Sequence, residues 1–222
     1  MGKAWTLAVV AGEHSGDMHG GNLVKAFARL APEARWFGAG GPVLASAGVE
    51  LLVPMEKLAV VGISEVVSHL GDLWRQMGVL KEALRTRRPD ALVLVDFPDF
   101  NFRLAKFTRK LDIPVVYYIT PQVWAWRQGR TDFLRRWVDR ALVIFPFEEE
   151  FLRGRGVDAR FVGHPLVDTA KPPCDLERFL LRHGLDRAAP RVALLPGSRA
   201  SEVKRNLPPM VGAARLLAGR FP

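Results

Sequence analysis

Short apolar runs alternate along the chain with longer stretches whose apolar positions recur every three and four residues. The runs 6–11 (TLAVVA), 34–39 (ARWFGA), 49–53 (VELLV), 91–95 (ALVLV), 114–119 (PVVYYI), 141–145 (ALVIF) and 159–163 (ARFVG) read as strands. Between them, helical periodicity predicts helices over 20–31, with Leu23, Phe27 and Leu30 on one face, then a short one from Pro42, and others over 65–87, 100–111, 129–137 and 147–154. ALVLV is aliphatic throughout, as a strand covered on both faces requires. Such β–α alternation predicts an α/β fold, a Rossmann-type parallel sheet flanked by helices.

After that series the pattern breaks. Residues 164–175 (HPLVDTAKPPCD) carry three prolines and read as a linker. A helix over 175–183, a strand over 191–196 (RVALLP) and a helix over 207–219 then begin a second α/β unit. The expected organisation is a first domain over 1–165, with 166–222 as the linker and first part of a second domain. No internal repeat or low-complexity tract interrupts it.

Composition narrows the partners. Of 222 residues, 49% are hydrophobic, enough for a real core. The net charge of +9 favours anionic partners such as nucleic acid, phosphorylated substrates or acidic headgroups. No nucleic-acid recognition motif accompanies that charge. No apolar run reaches membrane-spanning length, and the opening residues lack a secretory signal's apolar region and cleavage site. Gly2 and Thr6 fit a myristoylation pattern, but the segment reads better as a first strand. The single Cys174 rules out an internal disulfide and fits a reducing cytoplasm.

In open parallel sheets, ligands bind beyond the carboxyl ends of the strands, which makes four loops candidates. The glycine-rich AGEHSGDMHGG (11–21) offers close backbone approach, and Ser15 or Asp17 could cap a helix or bond a sugar. Its spacing matches neither a dinucleotide fingerprint nor a P-loop, and His14 with His19 lacks metal-site spacing. In DFPDFN (96–101), Asp96 emerges directly from the strand, whereas Asp99 precedes a helix and reads equally as its N-cap. A carboxylate at Asp96 can take a proton from a sugar hydroxyl. TPQVWAWRQGR (120–130) sets Trp124 and Trp126 beside Arg127 and Arg130, a sugar-stacking and phosphate-binding combination in which one Trp could instead be core. In LLPGSRASEVKRN (194–206), the N–H groups of Gly197 and Ser198 and the Arg199 side chain resemble a pyrophosphate cradle.

Taken in order, AGEHSGD, GGP, MEKLAVVGISEV (55–66), DFPDFN, TPQVWAWRQGR, FPFE (145–148), FVGHP (161–165) and LLPGSRASEV resemble the lipid-A-disaccharide synthase family over essentially the whole chain. VWAWR together with PGSR is the most diagnostic part. The resemblance implies a GT-B fold of two Rossmann-like domains, and an inverting, metal-free and cofactor-free transfer of diacylglucosamine from UDP to the 6-hydroxyl of diacylglucosamine 1-phosphate. It implies Asp96 as the general base. Glu13, Ser15 and Asp17 fall on the family's first loop, and Arg199, with Ser198 and Glu202 beside it, falls on the turn facing the UDP phosphates. Asp99, Asn101, Trp124, Trp126 and Arg127 are further substrate-binding candidates.

The resemblance also implies a peripheral position on the cytoplasmic face of the bacterial inner membrane, against an anionic surface, and is compatible with a homodimer. The apolar stretch 55–80 (Leu58, Val60, Val61, Ile63, Val66, Val67, Leu70, Leu73, Trp74, Met77, Leu80) reads either as core or as an acyl-chain surface. The family's chains are longer, so donor contacts are expected beyond Pro222, and the chain alone is expected to bind acceptor at most. The alternatives are a non-catalytic lipid-phosphate or membrane-binding module and a related nucleotide-sugar enzyme such as an epimerase; VWAWR argues against the latter.

Overall fold

A computed structural model describes residues 4–58, 66–198 and 200–220, with the backbone alone for 66–70 and Thr169. Two compact units divide at Thr169 and Ala170. The first runs past the expected boundary at residue 165, because the four-residue helix Leu166–Thr169 (α7) belongs to it.

The first unit is a parallel sheet of β1 (Thr6–Ala11), β2 (Arg35–Gly40), β3 (Val49–Pro54), β4 (Ala91–Val95), β5 (Val115–Tyr118), β6 (Arg140–Val143) and β7 (Ala159–Phe161), in the order β3-β2-β1-β4-β5-β6-β7. Connecting helices are α1 (His14–Leu30), α2 (Pro42–Ser46), α3 (Val66–Arg87), α4 (Pro98–Arg109), α5 (Arg130–Trp137) and α6 (Pro146–Arg153). The α/β, Rossmann-type reading therefore holds.

Alternation along each strand divides the core in two. Ala8, Val10, Leu92, Leu94, Val115 and Tyr117 pack on one face against Leu84, Leu104, Leu134 and Leu152 of the helices. Leu7, Val9, Ala11, Val93 and Val95 face the other way, with Val24 of α1 and Leu44 of α2. A strand buried on both sides must be apolar at every position, which is why ALVLV shows no polar residue.

From β1 the chain works outward to β2 and β3, then returns to place β4 on the opposite side of β1 and continues to β7. The order reverses between β1 and β4, so their connections diverge and leave a crevice at their carboxyl ends. Ala11 pairs with Val95 there.

The second unit contains α8 (Leu176–His183) and α9 (Ala200–Arg220). Asp175 caps α8 by accepting from Arg178 N at 2.8 Å, and Gly184 ends it in the left-handed region at φ +60°. The expected strand 191–196 does not form: residues 191–197 enter no ladder. A strand exists only through a paired neighbour, and among the described residues none is available to RVALLP. Helix α9 begins well before the expected 207 and carries Pro208 and Pro209 inside it.

Candidate functional site

The glycine-rich segment is mostly helix, not loop: α1 begins at His14, and Glu13 holds its N-cap position. Its glycines serve packing. A methyl group at Gly21 would lie 2.7 Å from Val43 Cγ1, and one at Gly20 3.3 Å from Leu44 Cδ2. Asp17, only 1% exposed, accepts from the backbone N–H groups of Gly41 at 2.8 Å, Val43 at 3.0 Å and Leu44 at 3.1 Å. It therefore caps the neighbouring helix α2 rather than its own, which removes it from the sugar-binding candidates. Glu13 and Ser15 remain exposed at the sheet's carboxyl edge.

The turn after β4 is built differently from an ordinary loop. Asp96 and Phe97 both adopt positive φ, +45° and +51°. Phe97 is the N-cap of α4, Pro98 follows at its first turn, and Asp99 falls inside the helix. The N-cap reading of Asp99 is thus corrected: its exposed carboxylate pairs with Arg130 Nη2 at 2.5 Å. The half-buried Asp96 directly follows β4, at the carboxyl edge where the strand order reverses and a ligand crevice is expected. Asn101 is fully buried, its amide donating to Asp96 O at 2.6 Å and Val95 O at 3.3 Å. No substrate reaches a side chain so enclosed, so Asn101 leaves the substrate-contact group.

Side-chain links then knit the carboxyl edge from loop to loop. Phe97 lies against Gly12, joining the turn after β4 to the turn after β1. Asp99–Arg130 joins it to the segment after β5. There, Trp124 is half-buried and donates Nε1 to Glu148 Oε1 at 3.0 Å, with its ring edge-to-face on Phe147 at 5.0 Å. Trp124 is accordingly a clamp onto the turn after β6, the packed member of the tryptophan pair. Trp126 is 59% exposed, with the guanidinium of Arg127 4.8 Å and that of Arg130 5.8 Å from its ring. Glu148 is buried; besides Trp124 it accepts from Ile144 N at 3.2 Å and Phe145 N at 3.1 Å. Phe145 in turn meets the His164 ring at 5.5 Å. Burial holds the His19 imidazole below its ordinary pKa, and His164 nearby lowers it further.

Sequence reasoning missed Tyr117; it had Gly12 only as a glycine for close backbone approach to a ligand, and Glu148 only as the last residue of FPFE. Tyr117 is fully buried and donates its hydroxyl to Asp96 O at 2.7 Å. Burial first, and then the charge of Asp96, push its phenol well above the usual range. The available signal was the pair of phenols that closes the strand VVYY, of which Tyr117 falls on the face turned to the core. In the second unit, Ser198 N donates to Glu202 Oε2 at 3.0 Å, so Glu202 itself occupies the place where an anion was expected. Arg199 lies outside the described residues.

Of the apolar stretch 55–80, Leu58, Met77 and Leu80 are core and Leu73 packs against it, whereas Trp74 is 49% exposed under Arg103. Val60, Val61 and Ile63, and the side chains of Val66, Val67 and Leu70, lie outside the described residues. Among the described residues no helix is long and apolar enough to cross a membrane, and no group of three acidic, His or Cys side chains could hold a metal.

Comparison with known proteins decides the family. A model described as lipid-A-disaccharide synthetase matches residues 7–222. The chain belongs to the lipid-A-disaccharide synthase family. The synthase of Geobacter metallireducens is 46% identical over 216 residues, 97% of this chain and 56% of that relative. The Myxococcus xanthus synthase is 47% identical over the same shares. The chain thus spans about half the length of these family members. Solved structures support the GT-B-type Rossmann fold alone. A glycosyltransferase from Rickettsia africae matches with TM-score 0.51 and 10% identity, over 86% of this chain and 52% of its own. A UDP-GlcNAc 2-epimerase from Neisseria meningitidis matches with TM-score 0.53 and 10% identity, over 73% and 47%.

Proposed function

We propose that this chain supplies the acceptor side of an inverting hexosyltransferase. The reaction joins UDP-2,3-diacylglucosamine to 2,3-diacylglucosamine 1-phosphate and yields a β-1,6-linked lipid A disaccharide and UDP. The observation that carries the reading is Asp96, a half-buried carboxylate on a left-handed turn at the point where the sheet order reverses.

In the proposed step the acceptor 6-hydroxyl lies against Asp96. The carboxylate takes its proton as the oxygen attacks the donor's anomeric carbon, and the bond from that carbon to the diphosphate breaks with its electron pair leaving on UDP. General-base assistance is worth about 10²–10⁴ in rate. Glu13 and Ser15 line the adjoining turn and are assigned to acceptor hydroxyls. Trp126 and Arg127 present a ring face and a cation suited to a sugar 1-phosphate. Ser198, Arg199 and Glu202 belong to the donor side, where the departing diphosphate needs positive charge; for that role the Glu202 carboxylate must leave the Ser198 N–H.

Exposed Trp74 beneath Arg103, with Lys106 and Arg136 over the Trp137 ring, supports contact with an anionic membrane surface; the cytoplasmic side is assigned from the family resemblance alone. The same face favours the second reading, a lipid-phosphate or membrane-binding module without turnover.

The test uses the polypeptide expressed from its natural reading frame, mixed with diacylated UDP-sugar and acceptor phosphate, with UDP release followed. Release that disappears in Asp96→Ala and Arg199→Ala while folding is preserved supports the transferase. Binding of acceptor or anionic vesicles without UDP release supports the module.

A further inference from the structure

The turn that carries Asp96 is unfavourable on its own. Two consecutive non-glycine residues in the left-handed region cost about 1–2 kcal/mol each. The restraint that holds them comes from beneath. Asp96 O accepts from Asn101 Nδ2 at 2.6 Å and from the Tyr117 hydroxyl at 2.7 Å, while Asp96 N donates to Tyr118 O at 3.3 Å. A carbonyl gripped by two donors fixes its peptide plane, and with φ it fixes where the Asp96 side chain leaves the backbone.

Both donors are fully buried, Tyr117 within the apolar core and edge-to-face with the Phe102 ring. Filling that volume with apolar residues would serve packing better. The Asn101 Oδ1 atom is buried with no hydrogen-bond partner, a situation that costs about 1–3 kcal/mol. The fold tolerates an orphaned acceptor and a strained turn at one spot, and the geometry they jointly hold is that of Asp96.

We propose that Asn101 and Tyr117 are a positioning pair that sets the Asp96 carboxylate at the crevice mouth, acting through the Asp96 carbonyl and never touching substrate. This rests on the reading of Asp96 as general base. Asn101 fixes the turn from within α4 and Tyr117 from the neighbouring strand. Losing either leaves the carboxylate in place but free to swing. Displacements of about an ångström cost on the order of 10² in rate without a matching loss of binding.

A double-mutant cycle tests this in the polypeptide expressed from its natural reading frame, with kcat, KM and thermal unfolding measured for Tyr117→Phe, Asn101→Ala, Asp96→Asn and the two pairings with Asp96→Asn. Tyr117→Phe is expected to lower kcat by about 10- to 100-fold with KM little changed. In the Asp96→Asn background the same change is expected to have no further effect, because the group being positioned is gone. Equal fold-losses in both backgrounds, a loss confined to KM, or no loss would overturn the pair. If Asn101→Ala fails to fold, Tyr117→Phe still decides, since it removes one oxygen and keeps the ring. Full turnover by Asp96→Asn would instead defeat the general-base reading, an outcome distinct from an essential Asp96 that is uncoupled from Tyr117.

Discussion

The Phe97 ring lies directly over Gly12, so close that a methyl group on residue 12 would sit 2.3 Å from Cδ1 of the ring. These two residues join the turns after β1 and β4, on either side of the reversal in strand order. Gly12→Ala must therefore push Phe97, and with it the Asp96 turn, out of place. Overpacking of this kind costs about 1–3 kcal/mol. Denaturant unfolding should show that loss, together with reduced turnover. In a Phe97→Ala background, adding Gly12→Ala should bring little further loss, because the ring it collides with is absent.

Asp17 and Asp96 should separate stability from activity. Asp17 holds three backbone N–H groups at the start of α2 while nearly fully buried. Asp17→Ala leaves those donors unsatisfied and should destabilise the fold by about 2–3 kcal/mol, with turnover per folded molecule largely retained. Asp96→Asn should leave unfolding almost unchanged, since asparagine tolerates the left-handed region.

The two tyrosines, Tyr117 and Tyr118, offer a spectroscopic test. Burial raises the pKa of both, and the charge of Asp96 adds to the shift at Tyr117. A phenol whose pKa is higher in the folded than in the unfolded chain contributes stability that is complete below about pH 10 and is lost as pH rises through the folded value. Phenolate absorbance should therefore lag behind that of a free tyrosine near pH 10 and rise as the fold opens. An ordinary titration near pH 10 in a protein still folded by circular dichroism would contradict the burial and bonding assigned to Tyr117.

Glu148 gathers three donors from two connections: Trp124 Nε1, Ile144 N and Phe145 N. Glu148→Ala should destabilise by about 1–3 kcal/mol. It should also shift tryptophan fluorescence towards longer wavelength, as the freed Trp124 gains solvent.

The strands of the first unit and most of its helices were legible because period and composition are local properties. ALVLV matches β4 residue for residue, since a strand covered on both faces leaves no other pattern available. The glycine-rich segment misled because glycine in a sequence signals freedom, whereas here α1 needs it to approach Val43 and Leu44 closely. Strand 191–196 failed for the opposite reason, since its formation depends on a partner its own residues cannot reveal. Asp96 could be singled out from its place after an apolar run. What holds it could not: Tyr117 lies 21 positions away in sequence, and its hydroxyl reaches the Asp96 carbonyl only because β5 lies beside β4. Similarly, Asp17 looked like a ligand contact until the fold brought α2 onto it.

UDP release by Asp96→Asn, measured beside the unsubstituted protein, decides whether Asp96 removes the acceptor's proton as proposed. A fall of about 10²–10⁴ in kcat, with thermal unfolding and acceptor affinity preserved, is the predicted result. Turnover at the unsubstituted rate by a folded Asp96→Asn protein would contradict it.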